Sequence, residues 1–178
     1  MKLALGLVCV ALGTAVADTP KAAQPFLSGD EDSLYVATGA FAGKDAMVVV
    51  WWDLMGRGSY PAFGLVADAK AKGGYRKVKV AKLPQGVIDG KITTALAANL
   101  DKDAADELVL ELRVNRTGPG GMHTYGTVEY AVLDWNGTSF VRLSTLEAKL
   151  ATKMKSRADV EADPLSATDL RAALGVKK

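Results

Sequence analysis

Cysteine, histidine and any excess of charge are scarce in this sequence. Cys9 is the only cysteine and His123 the only histidine among 178 residues. A zinc centre of the usual kind needs several such ligands, and a papain-like site needs a thiol beside a histidine. Cys9 also lies inside the opening stretch "MKLALGLVCVALGTAVADTP". There Lys2 supplies a short positive region, Leu3 to Val16 an apolar one, and the small residues Ala15 to Ala17 a cleavage signal before Asp18. The bulky Val8 before Cys9 argues against a lipid anchor on that cysteine. With residues 1–17 removed, neither a thiol nor a disulfide remains. Stability in an oxidising compartment must then come from the core or from a metal. Twenty-two basic residues nearly balance 20 acidic ones, for a net charge of +2. That gives no electrostatic footprint for nucleic acid or for an anionic membrane. No later run is apolar for long enough to span a bilayer. The expectation is an exported protein, periplasmic or extracellular, with no membrane insertion after the signal is removed.

What is present is mostly strand. Residues 18–33 read as an extended lead-in, and the pattern from Leu34 to Leu143 is one of strands and turns. "MVVVWWD" is a continuous apolar run rich in β-branched and aromatic residues, as a strand buried on both faces would be. "YRKVKVAKL" alternates at Val78 and Val80. "KITTALAAN", "ELVLELRV", "GTVEYAVLDW" and "SFVRL" follow. Asn136-Gly137 between the last two is a hairpin signal, because both residues tolerate positive φ. The period then changes. Ser144 with Glu147 and Ser166 with Asp169 have the spacing of capping boxes. Leu146, Leu150 and Met154 share one helical face, Leu165 and Leu170 stand where a hydrophobic staple would, and Gly175 can end a helix. Residues 144–178 are therefore expected to form two short C-terminal helices that cover the β domain.

The β region contains an internal repeat, about 36–83 and 97–143. Lys44 to Val49 aligns with Ala105 to Leu110 at an offset of 61, and Tyr75 aligns with Phe140 at an offset of 65. Each copy has a short loop, an apolar strand, a loop bearing Gly and Tyr, a second strand, a Gly-marked turn and an aromatic-led strand. The expected fold class is mainly β: antiparallel sheets from two blade-like repeats, with two short C-terminal α-helices.

"NLDKDAADELVL" from Asn99 and "WNGTSF" from Trp135 carry a family likeness. They resemble the calcium loop and a later strand phrase of FG-GAP or VCBS-type β-propeller repeats, whose loops run acid-x-acid-x-acid-Gly-x-x-acid into an apolar strand. The resemblance spans Gly39 to Leu143 and is best preserved over 99–143. It implies one structural calcium ion, held by the oxygens of Asn99, Asp101, Asp103 and Glu107 and the Ala105 carbonyl, with Asp106 facing outward. Calcium takes six to eight oxygens from such loops. Two departures count against it. Asn99 stands in place of the first acid, and Ala104 in place of the glycine, which strains the turn if φ there is positive. The first copy, "GAFAGKDAMVV", has lost its acids. Two repeats cannot close a propeller, so the chain forms either two packed blade-like sheets or one larger twisted sheet. A solvated, metal-free loop is the competing reading.

Two Gly-rich loops occupy equivalent places in the repeat. "LMGRGSYPA" carries Arg57 and Tyr60, and "NRTGPGGMHTYG" carries Arg116, His123 and Tyr125. Loops on a rigid β scaffold often carry function, and Arg and Tyr are enriched at binding surfaces. Ordinary connecting loops are the simpler reading of both. The leading expectation is a non-enzymatic β-repeat module that binds a protein or glycan partner through these loops. A carboxylate-dependent hydrolase is the alternative, but acid/base catalysis needs carboxyls facing across a cleft with their pKa values pushed apart. A purely structural envelope protein without ligand is the third.

Overall fold

The computed structural model describes residues 34–41, 46–52, 62–67, 70–71, 75–79, 87–101, 103–117, 119–155 and 165–176. The signal peptide expected over 1–17, the lead-in over 18–33 and the loop residues Arg57 and Tyr60 lie outside them. The strands are β1 (Leu34–Gly39), β2 (Ala46–Trp52), β3 (Ala62–Ala67) and β4 (Tyr75–Lys79), then β5 (Val87–Ala98), β6 (Glu107–Thr117), β7 (His123–Trp135) and β8 (Phe140–Arg142). Helices α1 (Ser144–Lys153) and α2 (Ala167–Leu174) follow. The fold is mainly β. Each run of four strands forms its own antiparallel sheet in sequential order. The chain thus adopts two packed sheets, not one larger twisted sheet. The offsets seen in the sequence recur in the strand starts: Ala46 and Glu107, Ala62 and His123, Tyr75 and Phe140.

The second sheet is the middle of three layers. Strand side chains alternate between faces, and here both faces are covered. Leu108, Leu110, Leu112 and Val114 of β6, with Ala131 and Leu133 of β7, pack with Ala37, Phe41 and Val78 of the first sheet. On the other face Val109, Tyr130 and Val132 pack with Leu150, Met154, Leu165 and Leu170 of the helical segment. The first seven positions of β6 and the eighth are buried except Arg113, which is half-buried. Five of these eight are apolar, and the carboxyl-bearing Glu107 and Glu111 are buried among them. β1 lies against β5, and the fit is close: a Cβ on Gly39 would sit 2.3 Å from the Ala97 Cβ.

A second contact joins the sheets at the turn after β7. Asn136 Oδ1 accepts from the N–H of Thr138 and of Ser139, both at 3.0 Å, and Gly137 has φ 94°. This is the Asn-Gly turn expected from the sequence. Trp135 and Phe140, opposite each other in register, meet with ring centres 5.0 Å apart and planes tilted by 54°, and Phe140 meets Phe41 edge to face at 5.7 Å. The Arg76 guanidinium of β4 lies 5.5 Å from the Trp135 ring centre.

The helices differ at their starts. At α2 the capping box is complete between Ser166 and Asp169, Leu165 and Leu170 are buried together, and Gly175 closes the helix at φ 70°. At α1 the expected Ser144–Glu147 box does not form. The N-cap is Leu143, without a side-chain cap. Glu147 instead takes two bonds from Arg142, at 2.8 and 2.6 Å, and one from the Val132 N–H at 3.2 Å. A cation two positions before the helix competes for the same carboxylate. Among the described residues no helix is long and apolar enough to cross a membrane.

Candidate functional site: the carboxylate loop between β5 and β6

Eight residues, Asn99 to Asp106, connect β5 to β6. The loop winds on itself through its own acids. The Asp103 N–H donates to Asp101 Oδ1 at 3.1 Å, and the Ala105 N–H to Asp103 Oδ1 at 2.7 Å. These successive Asx turns bring the carboxylates to one side. One carboxylate oxygen from each of Asp101, Asp103 and Glu107 lies within 4.8 Å of the others. Oxygens bound to one calcium ion are spaced within about 5 Å of one another, and exposed acidic groups without an ion are commonly clustered in the same way.

Glu107 is the unusual member. Asp101 and Asp103 are exposed, but Glu107, the first residue of β6, is fully buried. Its Oε2 accepts from the Leu100 N–H at 2.6 Å. Its Oε1 is buried with no hydrogen-bond partner among the described residues. A buried carboxylate is costly unless it is neutralised by a proton or a cation. Burial pushes the Glu107 pKa up from 4.5 to about 7; the charges of Asp101 and Asp103 add to this, and the Leu100 N–H opposes it.

The other two expected ligands are turned to each other. The Asn99 Nδ2 donates to the Asp103 carbonyl and, at 2.8 Å, to the Ala105 carbonyl. The amide group thus satisfies the carbonyl that the calcium reading assigns to the ion. Asp106, expected to face outward, instead reaches the first sheet. The Ala40 N–H donates to Asp106 Oδ2 at 2.8 Å, and the Asp106 N–H to the Ala40 carbonyl at 3.1 Å.

The Gly-rich segment from Asn115 to Gly126 is mostly hairpin. Asn115, Arg116 and Thr117 belong to β6, and His123 and Tyr125 to β7, with Thr117 paired to His123. His123 therefore starts a strand; it does not sit in a flexible loop. The true turn is short, with Gly120 and Gly121 at φ 74° and 78° and Met122 70% exposed. Arg116 is held by Glu129 through two bonds, one of them 2.7 Å from Nη2. That pairing raises its pKa further. Asn115 Oδ1 accepts from the Gly126 N–H at 2.8 Å. The side chains of His123 and Tyr125 lie outside the described ones.

A groove of about 620 Å³ runs along the outer side of α1, past Ser144, Ala148 and Thr152. Comparison with family models, with curated proteins and with solved structures finds no match.

Proposed function

We propose that this chain is an exported, non-enzymatic β-repeat module, similar to FG-GAP or VCBS-type repeats. In this reading it holds one structural calcium ion in the loop from Asn99 to Glu107 and binds a protein or glycan partner at the β6–β7 hairpin. The observation that carries the ion reading is Glu107. It is fully buried, its Oε1 lacks a hydrogen-bond partner among the described residues, and two more carboxylates lie beside it. Asp101, Asp103 and Glu107 would hold the ion; Asn99 and Ala105 would join them only by exchanging their mutual bond for it. Bound calcium would neutralise the cluster and fix the loop. The partner reading is supported by the braced hairpin. With Arg116 engaged by Glu129, the tip around Met122 is the part presented outward.

A thermal melt with calcium and with chelator tests the ion. Calcium at a hundredfold excess over its Kd adds about 2.7 kcal/mol, which for a domain of this size raises Tm by about 5–10 °C. Identical melts in calcium and chelator would discard the site.

A further inference from the structure

We propose that the loop from Asn99 to Glu107 is a three-way joint that transmits cation occupancy to the first sheet through Asp106 and to α2 through Leu100 and Asn99. This rests on the calcium reading above.

Three contacts leave this short segment for the two outer layers, one for the first sheet and two for the helical side. Asp106 and Glu107 are neighbours at the start of β6, and neighbouring strand side chains point to opposite faces. Glu107 thus serves the carboxylate cluster, while Asp106 holds both polar groups of Ala40, at 2.8 and 3.1 Å. The junction there has no slack: a Cβ on Gly39 would meet Asp106 Oδ2 at 2.9 Å as well as the Ala97 Cβ. Leu100 is the second arm. Its N–H bonds Glu107 Oε2 at 2.6 Å, and its side chain is buried with Leu165 and Leu170 on the helical side. The third contact is Arg171 of α2, whose Nε donates to the Asn99 carbonyl at 3.4 Å. A cation that fixes the Glu107 carboxylate therefore fixes the residue beside Asp106 and the amide of Leu100 together.

Any ligand that binds only the closed loop lowers the population of states in which the loop is open. Amides that open with the loop are then protected by the factor 1 + [L]/Kd. Loop amides alone would gain that factor if the segment were isolated. A joint extends it to Ala40 and Phe41 on one side and to the amides of α2 on the other.

Amide hydrogen exchange on the full protein, in calcium at a hundredfold excess over Kd and in chelator, reads this directly. The expected result is slowing by up to about 100-fold at Ala40, Phe41 and α2 as well as in the loop. Asp106→Ala should keep calcium binding within threefold of the wild type, lose the calcium-dependent slowing at Ala40 and Phe41, and retain it at α2. Where Asp106→Ala does not fold, Asp106→Asn serves, and should cut that slowing at least threefold. Protection confined to residues 99–107 overturns the joint while leaving the calcium site standing, and so does unchanged slowing at Ala40 in the variant that folds. No calcium binding by the wild type overturns the site and the joint together.

Discussion

The turn after β1 and the turn after β5 stand at the same place in two sheets of the same order, and they differ in what they keep. Both bury the second residue beyond the strand. Phe41 is 2% exposed and packs between the sheets, while Leu100 is 2% exposed and packs on the helical side. The apolar anchor is common to both, but it serves opposite layers. The acids belong to one turn alone: the second has Asp101, Asp103 and Asp106, the first only Asp45. The difference teaches that the anchor and the carboxylates are separable devices. One seats the turn, and the other adds a charged cluster to a turn already seated.

The sharpest way to break this comparison is to truncate the two anchors. Phe41→Ala and Leu100→Ala should each cost about 2–5 kcal/mol, read as a lowered urea midpoint. They should part in hydrogen exchange, with β1 loosened by the first and α2 by the second. Equal loosening of both segments in both variants would mean that the anchors are not layer-specific.

Next in size is the group that only the second turn has. In calcium-free protein the Glu107 pKa is raised, so the folded state holds a proton that the unfolded state releases. That contribution is fully present below pH 4.5 and is lost as pH rises through about 7. Glu107→Gln should therefore gain up to roughly 3 kcal/mol over the wild type at pH 8 and almost nothing at pH 4. It should also abolish any calcium-induced rise in Tm. A variant no more stable than the wild type at pH 8 would argue that Glu107 is well solvated.

Gly39 ends the first strand of its sheet, and the space its Cβ would take is filled by the Ala97 Cβ and the Asp106 carboxylate. Gly39→Ala should cost about 1–3 kcal/mol as β1 is pushed from Ala97, measured by denaturant unfolding. The smallest effect belongs to the bond that ties the two turns. Asp106→Asn keeps an oxygen for the Ala40 N–H and loses only the charge, so about 1 kcal/mol or less is expected. A larger loss would reveal a further role for the Asp106 charge.

Local patterns were legible in the sequence because their causes are local. The apolar residues of "ELVLELRV" announced the strand β6. Asn136-Gly137 announced its turn, and Ser166 with Asp169 announced the start of α2. What the sequence did not show depends on groups brought from far along the chain. Asp106 finds Ala40 66 positions away, and no spacing rule reaches that distance. Glu147 had the right spacing for a cap and was taken by Arg142 instead. Arg116, read as a surface for partners, is occupied by Glu129 across the hairpin. In the carboxylate loop the acids were visible, but the burial of Glu107 and the inward turn of the Asn99 amide follow from the helical layer and from backbone winding.

The Glu147 contact also bears on how the protein behaves among its own copies. β8 covers only the last three residues of β7, from Leu133 to Trp135. At the next position the Val132 carbonyl accepts from the Leu143 N–H at 2.8 Å, and its N–H is taken by Glu147 at 3.2 Å. Bare strand edges are templates for pairing with another chain. Here a charged helix residue fills the place a foreign strand would use, so the second sheet guards this stretch against edge-to-edge aggregation.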